Sequence, residues 1–332
     1  GSIDLAFARS AAAGIGRVLK DKSDGHTVIM KSTVLPGTTE GVVLPILEVE
    51  SGKRAFVDFG LASNPEFLRE GSALSDFFAP DRIVIGISDD RSRRLLEELY
   101  APIDCPKMYT AIPVAEMIKY VSNAFLATKI SFANEIGNIC KRMGIDTAEV
   151  FRGVGMDHRI NPAFFRSGIG FGGSCFPKDV RALIAKAEEV GVEPKILKDV
   201  IEVNEEQPLK LLELLETHIP DVDRKTIGVL GLAFKPNTDD VRESRAIPIV
   251  ETLLQKGATV LAYDPMAMGN FRKLYPQVNY VSTAADALVA DAILITTEWE
   301  EFESLNYTGK TVVDGRRIER ARDGSTYDGV CW

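Results

Sequence analysis

Gly168-Ile-Gly-Phe-Gly-Gly-Ser-Cys-Phe-Pro-Lys-Asp179, just past the midpoint of a 332-residue chain, is the stretch from which the rest can be read. Its four glycines, Gly168, Gly170, Gly172 and Gly173, predict a loop free to take positive φ and to let a ligand reach the backbone. Pro177 follows where a helix would begin, its fixed φ suited to a first turn. Val180-Arg-Ala-Leu-Ile-Ala-Lys-Ala-Glu-Glu-Val190 then has the period of an amphipathic helix, with Gly191 as its stop. Cys175 is thereby placed at a helix N-terminus, one turn from Lys178, and both features favour a nucleophilic thiolate. Two other uses of the same residues stay open: a small buried cysteine in a turn, or a phosphate cradle ahead of a helix.

Before this loop the chain alternates short apolar runs with helical patterns. Strands are expected at Thr27–Thr33, Phe56–Ala62 and Arg82–Ile87, with helices over Leu5–Leu19, from about Thr38 to Glu50, and over Arg91–Tyr100. That alternation predicts a parallel α/β sheet. Gly14-Ile-Gly16 is rejected as a dinucleotide turn, because no strand precedes it and no third glycine follows in place. From Ala115 to Met143 apolar residues recur at helical spacing for seven or eight turns, long enough for a spine or a dimer face. Asp146 or Thr147 caps a further helix, and Lys195–Val203 and Pro208–Glu216 read as two more. Strands return at Thr226–Leu232, Thr259–Asp264, Val278–Ser282, Ala292–Thr296 and Thr311–Val313, with helices over Ser244–Lys256 and Ala284–Val289, which predicts a second α/β unit.

The totals agree with an ordinary globular protein. Hydrophobic residues make up 45% and charged residues 26%, and the length suits two or three domains. A net charge of −9 leaves no basic surplus for nonspecific nucleic-acid binding. Cys105, Cys140, Cys175 and Cys331 are too scattered for a disulfide framework or a metal site, which fits a reducing cytoplasm. With three histidines a His-rich metal site is not expected, and no apolar run approaches a membrane span.

Three other stretches carry candidate chemistry. Glu66-Phe-Leu-Arg-Glu70 follows a strand end, where open α/β sheets bind ligands, and in a helical turn its two carboxylates would share a face. Lys119 and Asn123 are four apart on the long helix and share a face too, although a helix lysine is more often a solvated one. Gly231-Leu-Ala-Phe-Lys-Pro-Asn-Thr-Asp-Asp-Val-Arg-Glu-Ser244 is too long for a simple dinucleotide turn. It carries Lys235 and Arg242, side chains suited to a diphosphate, unless it is an ordinary polar connection. Asp314-Gly-Arg-Arg317 follows the last expected strand and would reach the same edge.

In order and spacing, Lys31-Ser-Thr33, Asn64–Glu70, Glu116–Asn123, Gly170–Asp179, Gly231–Lys235, Arg242-Glu-Ser244 and Asp314-Gly-Arg316 resemble the UDP-glucose/GDP-mannose dehydrogenase family of nucleotide-sugar 6-dehydrogenases, over almost the whole chain. The resemblance implies two Rossmann-like α/β domains joined by a helical dimerisation domain. The boundaries would be 1–110 (NAD domain), 111–216 (central domain with the catalytic loop) and 217–332 (nucleotide-sugar domain). It implies oxidation of the C6 alcohol of UDP-glucose to the carboxylate of UDP-glucuronate with two NAD+, through a cysteine thiohemiacetal and thioester. By matching position Cys175 would be the nucleophile, and Lys119 and Asn123 the donors to the developing alkoxide. Asp179 would position water, Glu66 would be the base for hydrolysis, and Thr33 would join that water network. Phe67, Leu68, Arg69, Phe164, Phe165, Gly168, Gly170, Phe171, Gly172, Phe234, Lys235 and Arg316 would hold the substrate, with Arg159 reaching the neighbouring site of a homodimer. Ser32, Thr33, Glu70, Lys178 and Arg242 would meet NAD.

The chain departs from the family at its start, where no strand and Gly-x-Gly-x-x-Gly turn are found. On that reading the NAD domain is truncated and turnover is in doubt. The resemblance leaves two alternatives: a GDP-mannose or UDP-N-acetyl-sugar 6-dehydrogenase, or a noncatalytic nucleotide-sugar-binding dimerisation module.

Overall fold

Gly14 and Gly16 lie inside a helix, α1 (Ala6–Lys20), in the computed structural model, which describes residues 4–332. A Cβ on Gly16 would come within 2.6 Å of Glu50 Cβ, so this glycine serves close helix packing and not a phosphate turn. The chain continues through β1 (His26–Met30) and a π-helical turn (Thr39–Val43) that runs into α2 (Leu44–Ser51). Next come β2 (Phe59–Ser63), α3 (Ala73–Phe78), β3 (Ile83–Ile87), α4 (Asp90–Tyr100), β4 (Lys107–Thr110) and the 32-residue α5 (Ile112–Met143).

These strands form a four-stranded sheet in the order β1-β2-β3-β4. It is not parallel throughout, as the alternation predicts: β2 and β3 are antiparallel, whereas β1–β2 and β3–β4 are parallel. The link from β2 to β3 holds only the six-residue α3, too little helix for a full crossover, so the chain returns beside the strand it left. β4 escaped prediction because its four residues are exposed or half-buried and lack an apolar run. Leu47, Phe59, Leu61 and Ile112 form one apolar core of this unit, and Ile83, Ile85, Leu96 and Tyr100 another.

Beyond α5 lie α6 (Thr147–Val154), α7 (Phe176–Glu189) and α8 (Lys195–His218). Asp146 caps α6 by accepting from the Ala148 N–H at 2.9 Å. Helix α8 is one continuous helix where two are expected, with Pro208 inside it. The second sheet follows: β5 (Thr226–Leu230), α9 (Ala246–Gln255), β6 (Thr259–Tyr263), α10 (Met268–Leu274), β7 (Asn279–Tyr280), α11 (Ala284–Ala287), β8 (Ala292–Ile295), β9 (Thr311–Asp314) and β10 (Thr326–Gly329). All its pairs are parallel and its order is β10-β9-β8-β5-β6-β7. The order reverses between β5 and β8, which opens a crevice at their C-terminal ends, where doubly wound sheets bind ligands.

By packing, the chain divides into two units: residues up to Asn123 with Ala182–Glu193, and Ala124–Arg181 with Pro194–Trp332. No helix among the described residues is long and apolar enough to cross a membrane.

Candidate functional site

In the first unit the candidate residues gather at the C-terminal ends of β1 and β2. The loop after β1 carries Lys31, Ser32 and Thr33, and Lys31 Nζ donates to Asn64 Oδ1 at 2.7 Å. Asn64 also donates to the Val84 carbonyl (2.7 Å) and accepts from the Tyr100 hydroxyl (2.5 Å), which fixes the start of the loop after β2. The helical turn expected to pair Glu66 with Glu70 does not form. Residues 64–69 are irregular and Gly71 takes a φ of 83°; Pro65 holds Asn64 away from helical geometry. Glu66 instead faces Lys119, its Oε1 3.6 Å from Nζ, while its Oε2 accepts from the Leu68 N–H at 2.5 Å.

Lys119 and Asn123, expected to share one face of the long helix, are 4% and 6% exposed, so the solvated-face alternative for the lysine does not hold. The Phe67 ring lies beside the Lys119 ammonium, 5.2 Å from ring centroid to Nζ, and beside the Arg82 guanidinium at 4.2 Å. Arg82 is held to α5 by a bond to Ser122 Oγ (3.1 Å). Leu68, Arg69 and Glu70 are exposed, with Arg69 paired to Asp76 at 2.6 Å. Glu116, in the Glu116–Asn123 motif, holds a loop. Its carboxylate accepts from the N–H groups of Gly37 (2.6 Å) and Thr39 (3.0 Å), which anchors the loop that carries Thr33. Burial pushes its pKa upward against those bonds. A signal was present: Glu116, Lys119 and Asn123 recur at i, i+3 and i+7 on one helix face.

In the second unit the glycine loop runs along the C-terminal edge of the large sheet. A Cβ on Gly168 would lie 2.5 Å from the Gly315 carbonyl oxygen, one on Gly172 2.2 Å from that of Glu243, and one on Gly173 2.7 Å from the Phe234 ring. Gly168 and Gly172 are there because backbone passes against backbone, and Gly173 because the Phe234 ring lies against it. The loop meets the connection after β5, with Phe234 and Lys235, and the one after β9, with Arg316. Arg316 Nε donates to the Thr296 carbonyl (2.9 Å) and faces Glu298 at 3.5 Å, and Nη1 reaches the Gly170 carbonyl at 3.4 Å. Lys235 Nζ stands 5.5 Å from the Phe234 ring centroid.

Cys175 is exposed and immediately precedes α7, with Ser174 Oγ 3.7 Å from its sulfur. Its carbonyl accepts from the Asp179 N–H at 2.9 Å, so the helix start expected from Pro177 is in place. Lys178, expected to support the sulfur or meet NAD, is ion-paired to the buried Asp179. Arg242 is exposed and paired with Asp240 at 2.7 Å. Arg159 is also exposed and bonds Asp157 at 2.6 Å. Phe165 stacks on Phe151 with ring centroids 4.9 Å apart, and Phe164, at a φ of 67°, lies 6.2 Å from Phe176.

The first unit fits part of a dinucleotide. Ser32, Thr33 and Glu70 lie after strand ends and offer groups for an amide or a ribose, but no glycine-rich strand-to-helix turn is found among the described residues. The N–H groups of Gly37 and Thr39 are already taken by Glu116.

Three family models match the chain. They are the UDP-glucose/GDP-mannose dehydrogenase family NAD binding domain (residues 1–104), central domain (113–206) and UDP binding domain (228–321). A UDP-glucose 6-dehydrogenase of Haloferax volcanii is 48% identical, over 99% of this chain and 79% of its own length. A GDP-mannose 6-dehydrogenase of Pseudomonas putida is 40% identical, over 100% and 79%. The solved structure of a UDP-glucose dehydrogenase from the hyperthermophilic archaeon Pyrobaculum islandicum gives a TM-score of 0.96 at 49% identity, over 100% of this chain and 76% of that one. The match to the NAD binding domain begins at residue 1, so the expectation of a truncated, inactive NAD domain has no support here.

Proposed function

This chain belongs to the UDP-glucose/GDP-mannose dehydrogenase family, and from that premise we propose that its substrate is UDP-glucose and its product UDP-glucuronate. The family consists of NAD-dependent oxidoreductases of nucleotide sugars. The observation that supports the finer reading most is the loop Gly168–Cys175. It passes along the crevice of a parallel sheet beside Lys235 and Arg316, then delivers an exposed cysteine to the first turn of a helix. One end of such a loop suits a nucleoside diphosphate and the other a covalent step on the sugar.

The residues then divide the work. Lys235 and Arg316 meet the diphosphate, and the bare backbone of Gly168, Gly170 and Gly172, with Phe171 and Phe234, encloses the nucleotide. Lys119 and Asn123 donate to the C6 oxygen and stabilise it as an alkoxide, an effect that burial strengthens. NAD, when bound by Ser32, Thr33, Glu70 and Arg242, supplies the acceptor for each hydride. The Cys175 sulfur bonds the aldehyde carbon as a thiohemiacetal, so the aldehyde does not escape, and holds it afterwards as a thioester. Glu66 takes a proton from the attacking water, with Asp179 and Thr33 orienting that water. The C–S bond breaks, leaving the acid and the regenerated sulfur. The segments 1–110, 111–216 and 217–332 serve as NAD, central and nucleotide-sugar domains. The central helices, with Arg159, serve a homodimer.

Incubation with UDP-glucose and NAD+ should yield two NADH per UDP-glucuronate. Cys175→Ser should abolish acid formation and leave UDP-glucose affinity by calorimetry nearly intact. Undiminished acid formation would remove the nucleophile assignment. The relative that acts on GDP-mannose makes that sugar nucleotide the second substrate to assay; a higher kcat/KM for it would replace UDP-glucose in the reading.

A further inference from the structure

The chain from Gly168 to Phe171 belongs to no helix or strand, yet all four residues are buried. Their backbone N–H and C=O groups therefore need partners from elsewhere. Side-chain amides supply those of Gly168 and Phe171. Asn134 Oδ1, on α5, accepts from the Gly168 N–H at 2.8 Å, and Gln207 Nε2, on α8, donates to the Gly168 carbonyl at 2.7 Å. Asn204, also on α8, serves both polar groups of Phe171: its Oδ1 accepts from the N–H (2.7 Å) and its Nδ2 donates to the carbonyl (3.0 Å). One carboxamide thus makes the two bonds that a neighbouring strand would make.

The helix itself explains how Asn204 is set up for this. Pro208 stands four residues after Asn204 and has no N–H to donate to the Asn204 carbonyl, so one rung of α8 is missing. That carbonyl is taken by Arg245 Nη1 at 3.3 Å. Arg245 is itself fixed, since Nε and Nη2 donate to the Glu243 carbonyl at 3.0 and 2.8 Å. Gly170 completes the fit. Its φ is 93°, and a Cβ there would lie 2.6 Å from Asn204 Oδ1.

We propose that Asn204 is a positioning residue for the nucleotide sugar: it sets the backbone of Gly170-Phe171 that encloses the nucleotide, and leaves the reacting sulfur alone. This rests on the reading that the loop faces UDP-glucose. The separation from Cys175 has its own support. After Phe171 the chain is anchored afresh, by the Gly173 N–H on the Arg242 carbonyl at 2.9 Å and by the first bond of α7. These two bonds hold the backbone between Phe171 and the sulfur without help from Asn204.

The test uses the full chain with Asn204→Ala, which removes both bonds, and Asn204→Asp, which keeps the shape but loses the donor. In each, KM for UDP-glucose should rise about tenfold or more. The KM for NAD+, kcat and the rate of Cys175 alkylation by iodoacetamide should stay within about threefold of wild type. An unchanged KM for UDP-glucose, or a fall in kcat with the alkylation rate, would overturn the proposal. Should both variants fail to fold, hydrogen exchange on the unsubstituted chain decides: the Gly168 and Phe171 amides should exchange as slowly as those of α8, and fast exchange refutes the anchoring. Absence of UDP-glucose binding by the unsubstituted chain would sink the substrate reading instead, a separate result.

Discussion

Glu66 and Asp264 stand at comparable places, each shortly past the C-terminal end of a strand in its own sheet, and their carboxylates have opposite fates. Glu66, whose side chain keeps 32% of its exposure, has one oxygen on the Leu68 N–H and the other 3.6 Å from Lys119. Asp264 is fully buried and saturated. Its Oδ2 accepts from the N–H groups of Leu232 (2.7 Å) and Ala233 (3.0 Å) and from Trp299 Nε1 (3.0 Å), and its Oδ1 from those of Met266 (2.9 Å) and Ala267 (2.7 Å). A carboxylate with spare lone pairs beside an ammonium can handle a proton; one whose lone pairs are all spent is a structural anion. From the end of β6, the Asp264 carboxylate takes N–H groups of the turn after β5, where folds of this topology offer N–H groups to a phosphate. The second sheet thus has dinucleotide-fold topology with that cradle filled by its own side chain.

The contrast can be broken by substitution. Glu66→Gln should lower kcat for acid formation by roughly 10²–10⁴ and change stability by less than about 0.5 kcal/mol. Retained kcat in steady-state assays would put Glu66 in the same structural class as Asp264. Asp264→Ala should do the reverse. It should leave buried N–H donors unpaired and cost about 3–5 kcal/mol in urea unfolding, and a loss under about 1 kcal/mol would show the carboxylate is dispensable to the fold.

Asp314, at the end of β9, sharpens the comparison through pH. Burial raises its pKa from the ordinary 3.8 to about 6, against bonds from the N–H groups of Arg316, Arg317 and Ile318 and from the Tyr327 hydroxyl. A carboxyl raised on folding binds its proton more tightly in the native state. Its contribution is therefore full below about pH 4 and is lost as pH rises toward 6 and beyond, to a total of up to about 3 kcal/mol. Urea midpoints at pH 4 and pH 7 should show this decline in the unsubstituted chain and not in Asp314→Asn. Equal slopes would mean the carboxyl titrates alike in both states.

The errors of sequence reading follow from the same physics. Pro208 reads as a break between two helices, because nothing near it announces that Arg245 will take the unpaired Asn204 carbonyl. Nothing in the stretch of helix around Lys119 shows that it is buried, because Glu66 and Phe67, which lie beside it, are more than fifty residues away. The short strands β4 and β10 carry Lys107 and Asp328 and have no apolar run to mark them. Asn134, Asn204 and Gln207 give no signal at all as loop holders, since an amide on a helix is as much at home in water.

Local chemistry alone settled the glycine loop, the helix that starts after Cys175, and the order of motifs that marks the family, because glycine freedom, proline geometry and apolar period act over a few residues. Which carboxylates have their lone pairs spent, which lysine loses its water, and what holds a buried strap with no strand beside it were decided by groups brought together from 31 to more than 50 residues apart. Burial and pairing belong to the assembled unit, and no local pattern carries them.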